Sequence, residues 1–177
     1  TDPVAVVEGP EDDRYPSFSR DGRHLMFGRG PDSDLQLMIA NADGTGVKQL
    51  TAAAIWADFL PNGTEVYATH KVDGKTVLSI YDLETGKGRD LPTGDQELWQ
   101  WVVARPPDGR ELLFMDHVQP GGPERAMYAI ATDGKTPPRM IGEPDANGSP
   151  DGAVASSASW SFQDPSLSPD GKTIAYW

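Results

Sequence analysis

One short motif recurs four times along the chain, and this recurrence limits the possible folds more than any other feature. Each copy ends in Asp-Gly or Asn-Gly, the dipeptides that accept the positive φ angles of tight hairpin turns. The copies are residues 17–22, 58–63, 104–109 and 166–171. Runs of strand-forming residues follow each turn, at 24–27, 65–68, 111–114 and 173–176. Each copy is therefore predicted to begin a β-hairpin.

The first three repeats continue in the same way after the hairpin. A third strand is predicted at 35–40, 77–81 and 126–130, a second glycine turn at 42–44, 84–86 and 132–134, and a short outer strand at 47–50, 88–91 and 138–141. The turn glycines are 41, 46 and 62 residues apart, and four strands with a period of roughly 40–50 residues are typical of propeller blades. We therefore predict an all-β fold, a β-propeller of four-stranded antiparallel blades, with a single domain over residues 1–177.

The number of blades depends on how the two ends of the chain are used. The blade units are predicted at about 15–51, 56–92, 101–142 and 160–177, with an insertion at 143–159. The last unit has only its first two strands, and Val4–Val7 has the composition of an outer strand with no blade before it. Because propellers hide sheet edges, we predict about four blades, the last completed by residues 4–7. Two alternatives stay open: the chain is part of a larger propeller, or two chains share one ring.

The first repeat also resembles a known repeat family. Its opening, Pro16-Ser17-Phe18-Ser19-Arg20-Asp21-Gly22, and its ending, Gln49-Leu50-Thr51, look like the WD-like repeat of TolB-type β-propellers. The resemblance covers most of residues 15–142 and again 160–177, and it is strongest in the first and last repeats. It implies a propeller and suggests protein complexes of the cell envelope. Similar repeats form the propeller of prolyl-oligopeptidase-type enzymes.

Charge and composition exclude several classes of partner. The net charge of -12 disfavours nucleic acid and anionic lipid surfaces. No apolar run approaches the roughly 20 residues of a membrane-spanning helix, so membrane insertion is not expected. The chain contains no cysteine, which excludes thiolate metal sites, disulfides and thiol nucleophiles.

Catalytic motifs are also missing from the sequence. No Gly-x-Ser-x-Gly nucleophile elbow occurs, and the chain has no room for the hydrolase domain that carries one. We therefore predict that the chain is not an enzyme and needs no cofactor.

Two sets of residues are candidates for a binding site. Arg29, His70 and Asp116 each stand seven residues after a turn glycine, and His117 stands eight after its own. They are predicted at similar height on one rim, either as a binding rim or part of a metal site, or as ordinary exposed loop residues. No metal site is assigned.

Trp56 and Trp101 form the second set. They lie beside or in the innermost predicted strands, where aromatic side chains line a channel or pack between blades. Residues 145–152 begin like a calcium loop, but Pro150 takes the place of the required glycine and Ser156 that of the final glutamate. We therefore interpret them as a polar turn.

These observations favour a non-catalytic binding or scaffold propeller with a protein partner. We expect it in the periplasm or outside the cell, with an export signal removed or lying outside the given sequence. The alternatives are a ligand- or carbohydrate-sensing propeller of a larger receptor, with a peptide or sugar ligand, and the propeller portion of a peptidase-type enzyme.

Overall fold

The computed structural model describes residues 5–7, 9–94, 102–104, 108–117, 125–141, 166–168 and 174–175. The chain divides into two compact units. The first consists of residues 1–74 and 79–89, and the second of residues 75–78 and 90–177. The single domain expected over residues 1–177 stays a prediction.

The first repeat forms a four-stranded antiparallel sheet, called sheet 1 below. Its strands lie side by side in chain order: β1 (Asp13–Phe18), β2 (His24–Arg29), β3 (Gln36–Asn41) and β4 (Lys48–Thr51). A three-residue 3-10 helix, Asp32–Asp34, connects β2 to β3. The two central strands each bury four consecutive residues, which explains why their sequences are continuous apolar runs rather than alternating ones.

The second and third repeats form equivalent sheets. Sheet 2 contains β5 (Ala54–Phe59), β6 (Glu65–Val72), β7 (Lys75–Asp82) and β8 (Gly88–Asp90), and sheet 3 contains β9 (Val102–Ala104), β10 (Glu111–His117), β11 (Arg125–Ala131) and β12 (Arg139–Met140). The last repeat contributes a two-stranded hairpin, β13 (Ser166–Leu167) and β14 (Ile174–Ala175). Three four-stranded sheets followed by a hairpin confirm the predicted all-β class and strand order.

The turn residues explain why the repeats form the same hairpins. Gly22, Gly63 and Gly109 have φ angles of 70°, 71° and 65°, as the Asp-Gly and Asn-Gly dipeptides predict. In the first turn, Asp21 Oδ1 accepts hydrogen bonds from Ser19 Oγ at 2.7 Å and from the backbone N–H two residues later at 3.1 Å. These hydrogen bonds, above all the one from Ser19, lower the pKa of Asp21.

Within the first unit, sheets 1 and 2 pack against each other through an apolar core. Its buried members are Met26, Leu37 and Ile39 from sheet 1 and Ala54, Phe59, Val66, Ala68, Tyr81 and Leu83 from sheet 2 and its second turn. A polar contact joins the same two sheets, because Lys48 Nζ donates hydrogen bonds to the carbonyl oxygens of Leu83 at 2.6 Å and Glu84 at 3.2 Å.

The outer strands of sheets 2 and 3 carry the same ion pair. Arg89 in β8 lies 2.6 Å from Glu65 at the start of β6, and Arg139 in β12 lies 2.9 Å from Glu111 at the start of β10. The corresponding cation of sheet 1 is Lys48. The outer-strand cation of sheet 1 therefore contacts the neighbouring sheet, whereas those of sheets 2 and 3 pair with a glutamate of their own sheet.

The predicted completing strand at residues 4–7 is not present in its described part. Residues 5–7 form no strand, and residues 6 and 7 are in a bend. Val7 packs against a second apolar cluster of sheet 1, made of Leu25, Phe27, Met38 and Ala40, and the carbonyl of Val6 lies against Gly44. The prediction was therefore wrong for residues 5–7, because the segment pairs with no described strand and only Val7 packs on an apolar sheet face, while Val6 remains exposed; Val4 lies outside the described residues.

Candidate binding surface on the first strands

The first strand of each four-stranded sheet contains an irregularity in its pairing. The register of β1 against β2 shifts between Arg14 and Ser17, and that of β5 against β6 shifts between Ala54 and Trp56. The pairing of β9 with β10 shifts as well. A β-bulge adds an unpaired residue, bends its strand and changes the direction in which side chains project.

An exposed aromatic residue lies at the bulge of β1 and another at that of β5. Tyr15 is 65% exposed and Trp56 is 45% exposed. Tyr15 also has a φ angle of 54°, a left-handed conformation that costs on the order of 1–3 kcal/mol in a non-glycine residue. The sequence identified Trp56 as a candidate but missed Tyr15, because no sequence signal marks this bulge.

Tyr15 is held by a polar network on the exposed side of β1. Its hydroxyl donates a hydrogen bond to Asp32 Oδ1 at 3.3 Å, and Arg14 Nη1 lies 3.2 Å from the same oxygen. Arg14 Nη2 lies 3.2 Å from Asp12 Oδ2. The side chains of Asp32 and Asp12 remain 67% and 83% exposed, so both carboxylates can still interact with a partner.

A backbone hydrogen bond joins sheets 1 and 2 near these strands. Asp32 belongs to the 3-10 helix that ends one residue before Leu35, and the carbonyl of Leu35 accepts a hydrogen bond from Ala54 N at 2.8 Å. Ala54 starts β5, two residues before Trp56. Trp56 pairs with Thr69, and its neighbour Ala57 pairs with the core residue Ala68, so Trp56 projects from the face of β5 that does not pack on sheet 1. Two exposed sites result: Tyr15 with Asp12, Arg14 and Asp32, and Trp56.

Arg29, predicted as a rim residue, is committed to an ion pair. Its Nε and Nη2 atoms lie 2.7 and 2.9 Å from the two carboxylate oxygens of Asp13, and Glu11 lies 3.3 Å away. Its guanidinium also lies over the ring of Phe27, 5.3 Å from the centroid. The hydrogen bonds to Asp13 raise the pKa of Arg29, and this geometry indicates a structural contribution.

His70 lies in the core rather than on an exposed rim. It is 8% exposed, its Nε2 lies 2.9 Å from Ser79 Oγ and 3.4 Å from the Tyr81 hydroxyl, and its Nδ1 lies 3.4 Å from Thr51 Oγ1. The rings of His70 and Tyr81 meet edge-on with centroids 6.2 Å apart. This position in sheet 2 is buried because Thr51 of sheet 1 lies against it, a contact that no local sequence pattern reveals.

The remaining candidates belong to the second unit or lie outside the described residues. Asp116 and His117 are the last two residues of β10 and pair with Ala126 and Arg125 of β11. Trp101 and the loop 145–152 lie outside the described residues. The shared rim of Arg29, His70, Asp116 and His117 therefore stays a prediction for the last two, while His70 is buried.

The described residues contain neither a group of metal-ligating side chains nor a membrane-spanning helix. Among the described residues, no three histidine, aspartate or glutamate side chains are grouped so that they could hold a metal ion. In that part of the chain, no helix has the length and apolar character needed to cross a bilayer.

Solved structures with the same arrangement of sheets identify the fold. TolB from Acinetobacter baumannii superposes with a TM-score of 0.60 at 17% sequence identity, covering 97% of this chain and 39% of that one. The β-propeller domain of the Trilobed protease from Pyrococcus furiosus, reported with an open velcro topology, gives a TM-score of 0.51 at 15% identity, covering 74% of this chain and 41% of its own. The fold is that of a TolB-like β-propeller.

Enzymes share this TolB-like fold. Oligogalacturonate lyase from Vibrio parahaemolyticus gives a TM-score of 0.54 at 16% identity, covering 92% of this chain and 44% of that one. The chain thus spans less than half the length of each of these three proteins. No family model matches the sequence, and no curated protein matches it. At such identities the likeness establishes the fold alone, and function has to be argued from the surface.

Proposed function

We propose that this chain is a non-catalytic β-propeller module that binds a protein partner in the cell envelope or outside the cell. The observation that carries the proposal is the exposure of Tyr15 and Trp56 at the bulges of β1 and β5. Tyrosine and tryptophan are enriched in protein interfaces because they combine a large apolar surface with a hydrogen-bonding group.

The position of these side chains supports binding rather than packing. Among the described residues, β1 and β5 are the edge strands of their sheets. Ala54 and Phe59 of β5 are buried, whereas Tyr15 and Trp56 remain exposed. The backbone of Tyr15 has a strained, positive φ angle, and its hydroxyl donates a hydrogen bond to Asp32. Strain of this kind is concentrated at functional sites, where the surrounding structure maintains it.

Neither the likeness to TolB nor the likeness to a lyase by itself assigns chemistry to this chain, because both establish only the fold. The described polar side chains most suggestive of a reaction are Ser79 and His70, with Ser79 Oγ 2.9 Å from His70 Nε2. Ser79 is completely buried, so a substrate has no access to its hydroxyl. Their geometry fits a hydrogen bond that satisfies two core groups.

Photo-crosslinking in the source cells tests the proposal. A benzophenone amino acid replaces Trp56 in one variant and Tyr15 in a second, and Val47, 38% exposed and remote in sequence, is replaced in a control. We expect discrete protein adducts at the first two positions and not at the third. The absence of any adduct above the level of the control would contradict a protein partner.

Two further measurements separate the alternatives. Exposed aromatic residues also stack on sugars, so a thermal-shift screen with oligosaccharides accompanies the crosslinking. A sugar-induced shift without protein adducts would replace the protein partner with a carbohydrate. Cell fractionation tests the location, and recovery of the chain with cytosolic markers would contradict an envelope or extracellular role.

A further inference from the structure

The first turn of sheet 2 differs from the matching turns of the other repeats by one chemical group. Its dipeptide is Asn62-Gly63, whereas the other three repeats have Asp-Gly at residues 21–22, 108–109 and 170–171. An asparagine followed by glycine is prone to spontaneous deamidation, because glycine has no side chain to keep its backbone nitrogen away from the neighbouring amide carbon. This repeat therefore carries a reactive amide where the others carry a less reactive carboxyl group.

The side-chain amide of Asn62 is held by three hydrogen bonds. Its Oδ1 accepts from the backbone N–H groups of Thr64 at 3.1 Å and Glu65 at 3.2 Å, and its Nδ2 donates to Glu65 Oε2 at 2.8 Å. Glu65 is itself fixed by Arg89, whose Nη1 lies 2.6 Å from Glu65 Oε1. The amide plane of Asn62 is therefore held in one orientation, although the residue is exposed to water.

The backbone nitrogen that would attack this amide is also engaged. Gly63 is buried, and its N–H donates a hydrogen bond to the carbonyl oxygen of Leu60 at 3.0 Å. Its φ angle of 71° belongs to the tight hairpin turn. Ring closure needs a rotated Asn62 amide and a released Gly63 nitrogen, so the turn must first open and lose these hydrogen bonds.

We propose that Asn62 is a site of spontaneous covalent modification, which the folded hairpin suppresses and opening of the turn permits. In the open turn, the Gly63 nitrogen attacks Cγ of Asn62, its proton passes to the leaving NH2 group, and ammonia departs from the resulting cyclic succinimide. Water then opens the ring at either carbonyl group and gives aspartate or isoaspartate. The reaction consumes a water molecule, releases ammonia and changes no oxidation state.

The two products affect the hairpin differently. Aspartate restores the dipeptide of the other repeats, and in sheet 3 such a turn coexists with a glutamate, since Asp108 and Glu111 occupy the corresponding places. The new carboxylate would still face Glu65 Oε2 where an amide donated before, and like charges repel. Isoaspartate adds a methylene group to the backbone and disturbs the register of β5 against β6. A converted chain therefore keeps a permanent chemical record that its turn has opened.

Peptide mapping by mass spectrometry in heavy-oxygen water measures the rate of conversion, because the incorporated oxygen marks conversion during the experiment. The folded chain is compared with a synthetic peptide of residues 58–67 and with the chain unfolded in urea, at the same pH and temperature. We expect the folded chain to convert at least about tenfold more slowly than either, since several hydrogen bonds must break before ring closure. Mapping also separates Asn62 from the second Asn-Gly pair, at residues 147–148.

Three variants test whether the Glu65 contact contributes to this protection. Glu65→Ala removes the acceptor of the Nδ2 hydrogen bond and should raise the conversion rate of Asn62 in the folded chain about 2- to 10-fold. Glu65→Gln keeps an acceptor and should stay closer to the unchanged chain. Glu111→Ala removes the matching ion pair of sheet 3, whose turn has no asparagine, and should leave the conversion rate unchanged.

Conversion of the folded chain at the rate of the peptide, or faster, would overturn the proposal. Equal acceleration in Glu65→Ala and Glu111→Ala would also overturn it, because the effect would then come from a general loss of stability and not from the Asn62 turn. Circular dichroism shows which variants are folded. If Glu65→Ala does not fold, the rates of the folded chain and of the peptide still decide the outcome.

Discussion

Phe18 and Phe59 hold the same place in consecutive repeats, yet the structure buries only one of them. Each stands opposite the second residue of the following strand, Phe18 against Leu25 and Phe59 against Val66. Phe59 is 4% exposed in the core between sheets 1 and 2, whereas Phe18 is 55% exposed. Changing each phenylalanine to alanine therefore measures how much the packing of two sheets contributes to the free energy of unfolding at one repeat position.

The expected losses differ severalfold. Phe59→Ala removes a buried ring and leaves a cavity, which costs about 3–5 kcal/mol in free energy of unfolding. Phe18 has more than half of its surface in water, so Phe18→Ala forfeits less than half of the burial energy of a large apolar side chain, or about 1 kcal/mol. For a chain of this size, these losses correspond to decreases in Tm of about 6–20 °C and about 2–4 °C.

Urea and thermal unfolding, followed by circular dichroism and by tryptophan fluorescence, measure both variants. The use of two probes reveals whether the two compact units unfold together or separately. Phe59→Leu, a milder change, keeps the comparison possible if Phe59→Ala does not fold. Equal losses at the two positions, or a larger loss for Phe18→Ala, would refute the assignment of Phe59 to the sheet 1–sheet 2 core.

Three further outcomes are expected. Gly44→Ala should lower Tm more than Gly86→Ala. Both glycines have positive φ, but only at Gly44 would the added methyl group meet another backbone segment, at Val6. Equal losses in Tm would contradict this. Ser79→Ala should cost about 1–3 kcal/mol in urea unfolding, because it removes a hydrogen-bond partner of buried His70, and a neutral effect would show that the contact contributes nothing. The folded-state pKa of Asp21 is lowered, so its ionised carboxylate stabilises the fold above the unfolded-state pKa of about 4. This stabilisation is lost as pH falls further, and Asp21→Asn should therefore flatten the decline of Tm below about pH 4. An unchanged decline would contradict this.

The architecture was predictable because its signals are local. The dipeptides ending at Gly22, Gly63 and Gly109 require positive φ, and apolar runs of strand length follow each of them. Turn chemistry and strand composition are therefore sufficient to place three four-stranded repeats and a hairpin. The likeness of the first repeat to TolB-type sequences, which rests on the same turn motif, indicated the same fold, and the structural comparison agrees with it.

The candidate site was predictable only in part, because it depends on contacts between distant strands. Trp56 was identified from its place beside an inner strand, but the exposure of Tyr15 follows from a bulge that the β1–β2 register creates. His70 was expected on a rim, yet Thr51 and Ser79, from other strands, enclose it. The bend at residues 6 and 7 was missed for a related reason: the sequence of a short apolar segment alone does not reveal whether it pairs with a strand or packs on a sheet face.

The cations of the outer strands contact different partners in different sheets, so the repeats are not interchangeable modules. Arg89 and Arg139 are neutralised inside their own sheets, but Lys48 reaches the turn carbonyls of the next sheet. Exchanging the first two repeats by gene rearrangement would send Lys48 to a different neighbour and lose this bond. We expect such a shuffled chain to unfold at a lower urea concentration than the chain with the natural order. An unchanged midpoint of urea unfolding would show that the order of the repeats does not affect stability.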